Sequence, residues 1–165
     1  LGESFPAGIK GKTFTFGSKG STSGRLMPEF FIRDYFKAAP QEVFKRAGFS
    51  GDHSKTLALV QSGSYEAGAL NFKVWENEMK AGAVDTSKVR IIWQTPPYPD
   101  YNWTVRGNVE KTYGKGFVKK VRDVLVGMGD RELLDSFPRV RFIDADNTMY
   151  KPILDTAMEV GIIEK

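Results

Sequence analysis

Between Gly17 and Gly24 the chain reads Gly-Ser-Lys-Gly-Ser-Thr-Ser-Gly, which sets the consecutive hydroxyls of Ser21, Thr22 and Ser23 among glycines. A short alternating stretch, Thr13-Phe14-Thr15-Phe16, precedes this run, and Leu26-Met27-Pro28-Glu29-Phe30-Phe31-Ile32 follows it with helical character. A strand, a loop of small residues and a helix start together build a seat for an anion. The first amides of a helix have no intrahelical acceptor, and the helix dipole places partial positive charge at that end. Three hydroxyls add donors beside those amides, and glycine permits close approach to the main chain. The chemistry suits a tetrahedral oxyanion, although the same residue types also serve ordinary helix capping. A nucleotide P-loop is a poor match, because Lys19 precedes Gly20 and no lysine follows the last glycine.

Other residues with chemical potential are fewer. His53 is the sole histidine; it follows Phe49-Ser50-Gly51-Asp52 at an expected strand end, where ligand contacts concentrate in parallel sheets. Ser23, His53 and Asp52 together contain the residue types of a hydrolytic triad, but no nucleophile-elbow spacing accompanies them. Asp144-Ala145-Asp146-Asn147-Thr148 has a partial calcium-loop pattern, yet Met149 stands where glycine is needed and Asp155 where glutamate is needed. Capping of a helix near Tyr150 is the better reading. No ligand cluster for a metal is evident and no cofactor is implied. Tyr98, Tyr101 and Trp103 are loop aromatics of the kind that line clefts or pack loops against a core. Asp100 among them would repel an oxyanion unless it met a protonated ligand oxygen or stayed outside the pocket.

The elements that must position these residues follow from periodicity and punctuation. Strands are expected over Lys12 to Phe16, Tyr65 to Leu70 and, as a clear buried strand, Val89 to Gln94, with a further one over Trp103 to Arg106. Helices are expected over Met27 to Phe36, Gln41 to Arg46, Ser54 to Ser62 and Phe72 to Ala81. Later helices are expected near Lys115 to Met128, Arg131 to Phe137 and Tyr150 to Val160. Alternation of this kind predicts an α/β fold with a mainly parallel sheet. The strand-end segments Ser18 to Ser23, Ser50 to His53, Asn71 and Pro96 to Tyr101 are then candidates to share one cleft wall.

Composition narrows the class. The 165 residues are 41% hydrophobic and 13% aromatic, enough for a packed core. The net charge of +4 is mild and the cations are interspersed with acids, so helix faces such as Phe117 to Arg122 read as solvated rather than nucleic-acid-binding. The absence of cysteine excludes disulfides, thiolate metal sites and a cysteine nucleophile. No apolar run is long enough for membrane insertion.

Several segments, taken in order, share a resemblance. Phe16-Gly17-Ser18 leading into Ser21-Thr22-Ser23-Gly24 and Met27-Pro28 resembles the phosphonate and phosphite substrate-binding proteins of ABC importers. Phe49 to His53, Val60 to Ala69 and Thr95 to Trp103 are similar to further segments of that family, the last to a branch described as selenate binders. The resemblance implies a type II periplasmic binding fold: one mainly parallel-sheet lobe plus the returning C-terminal segment of the other, with most of the N-terminal lobe outside this chain. On that reading 1–11 is an inter-lobe connection, 12–95 is lobe two, 96–102 is the crossover hinge and 103–165 returns to lobe one. It also implies a periplasmic or cell-envelope receptor, not an enzyme, that hands its ligand to an ABC transporter permease. The ligand would be a small oxyanion of the phosphite, phosphonate or selenate class. The resemblance implies Ser21, Thr22, Ser23 and His53 as ligand-binding residues, and the strand-end placement adds Asn71, Asp100 and Tyr101 as candidates. Asn71 in place of an acidic group argues against an amine-bearing ligand. The competing expectation is a phosphoester hydrolase using the Ser21 to Ser23 loop and His53.

Overall fold

A computed structural model describes residues 4–137 and 139–163. The chain divides into two compact units, Leu1–Pro97 with Pro152–Lys165, and Tyr98–Lys151. The outermost part of the expected 1–11 connection, residues 1–3, lies outside the described residues.

The first unit is built on a three-stranded sheet in the order β2-β1-β3, with β1 at Thr13–Phe16, β2 at Arg46–Phe49 and β3 at Ala67–Gly68. Both ladders are parallel, with Thr13 opposite Arg46, Phe16 opposite Phe49 and Phe14 opposite Ala67. Parallel neighbours require crossovers, and the helices supply them. After β1 come a π-helical turn at Thr22–Leu26, α1 at Met27–Phe36 and α2 at Pro40–Val43. After β2 comes α3 at His53–Gln61, and after β3 comes α4 at Phe72–Lys80. Pro28 is accepted in the first turn of α1, where its missing N–H would have had no partner. The core beneath the sheet is Ile9, Phe14, Phe16, Ile32, Val43, Phe44 and Ala67, with Phe14 and Phe44 stacked at 4.6 Å.

A polar layer accompanies this apolar one. Thr15 and Thr56 are fully buried and Ser50 nearly so. Ser50 Oγ and Thr56 Oγ1 lie 2.7 Å apart, and each also reaches the Asp52 carbonyl, at 2.7 and 3.1 Å. These bonds fasten the first turn of α3 to the end of β2, since buried hydroxyls must find partners.

Three expectations are corrected. Val89 to Gln94 is not a strand: among the described residues it pairs with no other strand. Val89 is buried, but Ile91 and Ile92 are 40% and 42% exposed, while Trp93 is held by ring contacts with Phe5 and Phe31. An apolar run reads as a buried strand only if a neighbouring strand satisfies its backbone. Trp103 to Arg106 is likewise unpaired. The helix expected over Gln41 to Arg46 stops at Val43, because pairing with Thr13 draws Arg46 into β2.

The second unit contains α5 at Val109–Tyr113, α6 at Phe117–Val126, α7 at Arg131–Ser136 and a 3-10 turn at Asn147–Tyr150, after which α8 at Lys151–Glu159 belongs, from Pro152 on, to the first unit. Trp103, Phe137 and Phe142 form an edge-to-face cluster, and Arg122 grips Asp144 through two bonds of 2.6 Å. Asp146 caps the 3-10 turn by accepting from the Thr148 N–H at 2.7 Å. Among the described residues no helix is long and apolar enough to cross a membrane.

Gly68 marks where the sheet tolerates no side chain: an added Cβ would stand 2.8 Å from Thr56 Cγ2 and 3.0 Å from both Thr15 Cγ2 and the Thr15 carbonyl. Gly68→Ala is therefore expected to destabilise the protein by about 1–3 kcal/mol through overpacking. Urea unfolding checks this, and an unchanged midpoint would contradict the packing described.

Candidate functional site

The carboxyl ends of β1, β2 and β3 lie on one edge because all three strands run parallel, and each is followed by a helix that starts there. The connecting loops are bonded to one another at this edge. Gly17 N–H donates to the Gly24 carbonyl at 2.8 Å, Ser50 N–H to the Phe16 carbonyl at 2.9 Å and Gly51 N–H to the Gly17 carbonyl at 3.3 Å. Asn71 completes the connection, as its backbone N–H donates to His53 Nδ1 at 3.2 Å and its Nδ2 donates to Ser23 Oγ at 3.2 Å. Ser21, Thr22, Ser23, His53 and Asn71 are thus gathered at one place, all of them half-buried.

Each helix start has a local cause. Ser21 is extended and caps the π-helical turn, its Oγ accepting from Gly24 N–H at 2.9 Å. The next bonds run from Arg25 and Leu26 N–H to the Ser21 carbonyl, so Thr22 and Ser23 head the turn with amides that have no intrahelical acceptor. Asp52 caps α3, its Oδ1 accepting from Lys55 N–H at 2.7 Å. Asn71 caps α4, its Oδ1 accepting from Lys73 N–H at 2.8 Å. Both ends of the Asn71 amide are therefore engaged, which fixes its orientation.

The glycines also serve packing within the site. Their lack of a side chain admits His53: a Cβ on Gly24 would meet His53 Cε1 at 2.9 Å, Ser21 Oγ at 3.0 Å and Gly17 Cα at 3.1 Å. Two backbone segments and an imidazole are packed where any larger residue would force them apart.

The pattern of occupied atoms decides the chemistry. A backbone N–H can only donate, so His53 Nδ1 is an acceptor and the ring proton of the neutral imidazole sits on Nε2. Burial lowers the His53 pKa from 6.5, outweighing the opposing pull of Asp52, and so keeps the ring neutral near pH 7. Ser21 Oγ and Ser23 Oγ are also accepting, which leaves their O–H groups to donate. Ser21, Ser23 and His53 thereby become donors beside helix-end amides. No hydrolytic triad is assembled from these groups. Ser23 is bonded to Asn71, His53 Nδ1 receives the Asn71 amide, and Asp52 holds Lys55.

Asp100 and Tyr101 belong to the second unit. Arg139 grips the Asp100 carboxylate through Nε and, at 3.1 Å, through Nη2, holding its pKa below the usual carboxylate value. The same guanidinium lies 5.7 Å from the centre of the largely exposed Tyr101 ring. Ser50 lies in a strand-end segment expected from the sequence, but its bond to Thr56, which seats α3 and therefore His53, is not foreseen there. The only signal for it is the placement of hydroxyls at a strand end and one turn into a helix.

Known proteins share the sequence pattern and the fold. Residues 5–150 match the family described as ABC transporter, phosphonate, periplasmic substrate-binding protein. A relative from Prochlorococcus marinus (strain MIT 9301), the probable ABC transporter phosphite binding protein PhnD1, is 43% identical over 160 residues. That match covers 94% of this chain and 54% of the relative, so the chain spans about half the relative's length. The structure of PhnD1 from the same organism in complex with methylphosphonate superposes with a TM-score of 0.84 at 39% identity, over 99% of this chain and 63% of that one. A binding protein component of an ABC phosphonate transporter from Pseudomonas aeruginosa shares the fold, with a TM-score of 0.70 at 20% identity, covering 94% of this chain and 51% of that one.

With one histidine in the chain, the pH behaviour of the site can be read without ambiguity. Unfolded, the ring titrates near 6.5; folded, it titrates lower. Between those values the unfolded chain binds more protons, so the stability contributed by His53 is fully present above 6.5 and is lost as pH falls through the folded value. An NMR titration of the imidazole should give a midpoint below 6.5, and a midpoint above it would contradict the buried, neutral ring. The chain belongs to the periplasmic phosphonate-binding proteins of ABC transporters and has the α/β, type II periplasmic binding fold of that family.

Proposed function

We propose that this chain forms the oxyanion-gripping part of a non-enzymatic solute receptor, which binds phosphite or a small alkylphosphonate in the periplasm and delivers it to an ABC transporter permease. The observation that carries this reading is the occupied acceptor at each of three side chains. With Ser21 Oγ, Ser23 Oγ and His53 Nδ1 all receiving protein hydrogen bonds, the site is left with hydrogens to offer. Those donors, with the amides of Thr22 and Ser23, match a ligand made of acceptor oxygens. A neutral His53 can donate one hydrogen bond from Nε2 while Nδ1 keeps its protein partner. Family membership and the likeness to a methylphosphonate-bound relative support the same ligand class.

In this reading Ser21, Thr22, Ser23 and His53 meet the ligand, and Asn71 positions two of them. Asn71 has no charge to offer a ligand ammonium, and the Asp100 carboxylate is already held by Arg139. A small ligand without an amine is therefore preferred.

Calorimetry on the intact protein tests this. Methylphosphonate and phosphite should bind without turnover, and 2-aminoethylphosphonate at least about tenfold more weakly, because its ammonium would be desolvated without a partner. Ser23→Ala and His53→Ala should each weaken methylphosphonate binding by roughly tenfold to hundredfold, the range for a lost hydrogen bond to a charged group. Selenate serves as the competing oxyanion. Tighter binding of selenate or of the amine would overturn the ligand assignment, and product release from a phosphoester would overturn the receptor reading.

A further inference from the structure

The oxyanion seat is reached through the loop from Gly17 to Ser21, and one side chain ties that loop to the interior of the helix that follows. Arg25 Nη1 donates to the Lys19 carbonyl at 2.9 Å, while its Nε donates to Glu29 Oε2 at 3.2 Å. Glu29 is a buried carboxylate on α1, and its other oxygen accepts from Arg33 Nε at 3.0 Å and Nη2 at 2.7 Å. The Arg25 guanidinium also lies 5.3 Å from the centre of the Phe49 ring at the end of β2, with the Lys19 ammonium at 5.9 Å from the same ring. One planar group thus joins the loop before the seat, a buried anchor one helical turn on, and the neighbouring strand end.

We propose that Arg25 is a positioning residue for oxyanion binding: its guanidinium holds the Lys19 carbonyl so that the loop presents Ser21, Thr22 and Ser23 in one arrangement. This rests on the oxyanion reading above. The device depends on the fork rather than on the charge. Two different donors of one rigid plane reach two acceptors at once, which an ammonium on a flexible stem cannot reproduce. The Glu29 carboxylate is shared between Arg25 and Arg33, whereas the carbonyl contact belongs to Arg25 alone and is directional. Arg33 provides an internal control, because it shares the same buried carboxylate through separate bonds.

The test compares Arg25→Gln, Arg25→Lys and Arg33→Gln in the intact protein. It uses methylphosphonate calorimetry together with amide hydrogen exchange at Gly20 to Ser23 in the ligand-free state. Both Arg25 variants should bind roughly tenfold more weakly, with exchange in that segment about tenfold faster. Arg33→Gln should lower the melting temperature yet change affinity less than about twofold. Restoration of wild-type affinity by Arg25→Lys would overturn the proposal in favour of charge alone. Equal weakening by Arg33→Gln would overturn it in favour of general helix loss. Wild-type protein that binds no phosphonate would contradict the functional reading and with it the positioning role. Wild-type binding with affinity and exchange unchanged in Arg25→Gln would contradict the positioning role alone.

Discussion

The bond from the Asn71 N–H to His53 Nδ1 is the constraint on which the rest of the site depends. It fixes which ring nitrogen carries the proton, and so converts an ambidextrous side chain into a donor. The same residue caps α4 through Oδ1 and holds Ser23 through Nδ2. One asparagine therefore connects the loops after all three strands. Its engagement on both amide ends makes it a structural joint between the loops.

That joint works only because the fold brings its partners close. Parallel pairing puts the strand ends on one edge, and the hydroxyls of Ser50 and Thr56 set the first turn of α3 against the end of β2. Gly24 leaves the room in which His53 Cε1 lies. The apolar core of Phe14, Phe16, Ile32 and Phe44 supplies stability, but the polar layer above it supplies registration. Buried polar groups carry a high cost when unpaired, so a fully bonded set holds one arrangement against its alternatives. A site that must distinguish ligands by hydrogen bonding depends on donors that are already aimed.

Part of this is legible in the sequence alone. The loop from Gly17 to Gly24 and the position of His53 at a strand end follow from local chemistry that needs no distant partner. Family resemblance, carried by the same segments, pointed to the fold and family that the relatives show. What sequence reasoning could not supply is pairwise. Val89 to Gln94 has the composition of a buried strand and lacks a strand beside it among the described residues. Arg46 continues a helical pattern until the register with Thr13 claims it. The role of Gly24 is set by a residue 29 positions away, and the reach of Arg25 to Lys19 depends on how the loop folds back.

The donor character of the site depends on which nitrogen of one ring carries the proton. Nitrogen-15 NMR of the His53 imidazole in the intact protein, near neutral pH and before and after methylphosphonate is added, tests that assignment directly. The prediction is a neutral ring protonated at Nε2 in both states, with the Nε2–H resonance alone moving strongly on binding. A ring protonated at Nδ1, or an imidazolium in the ligand-free protein, would contradict it.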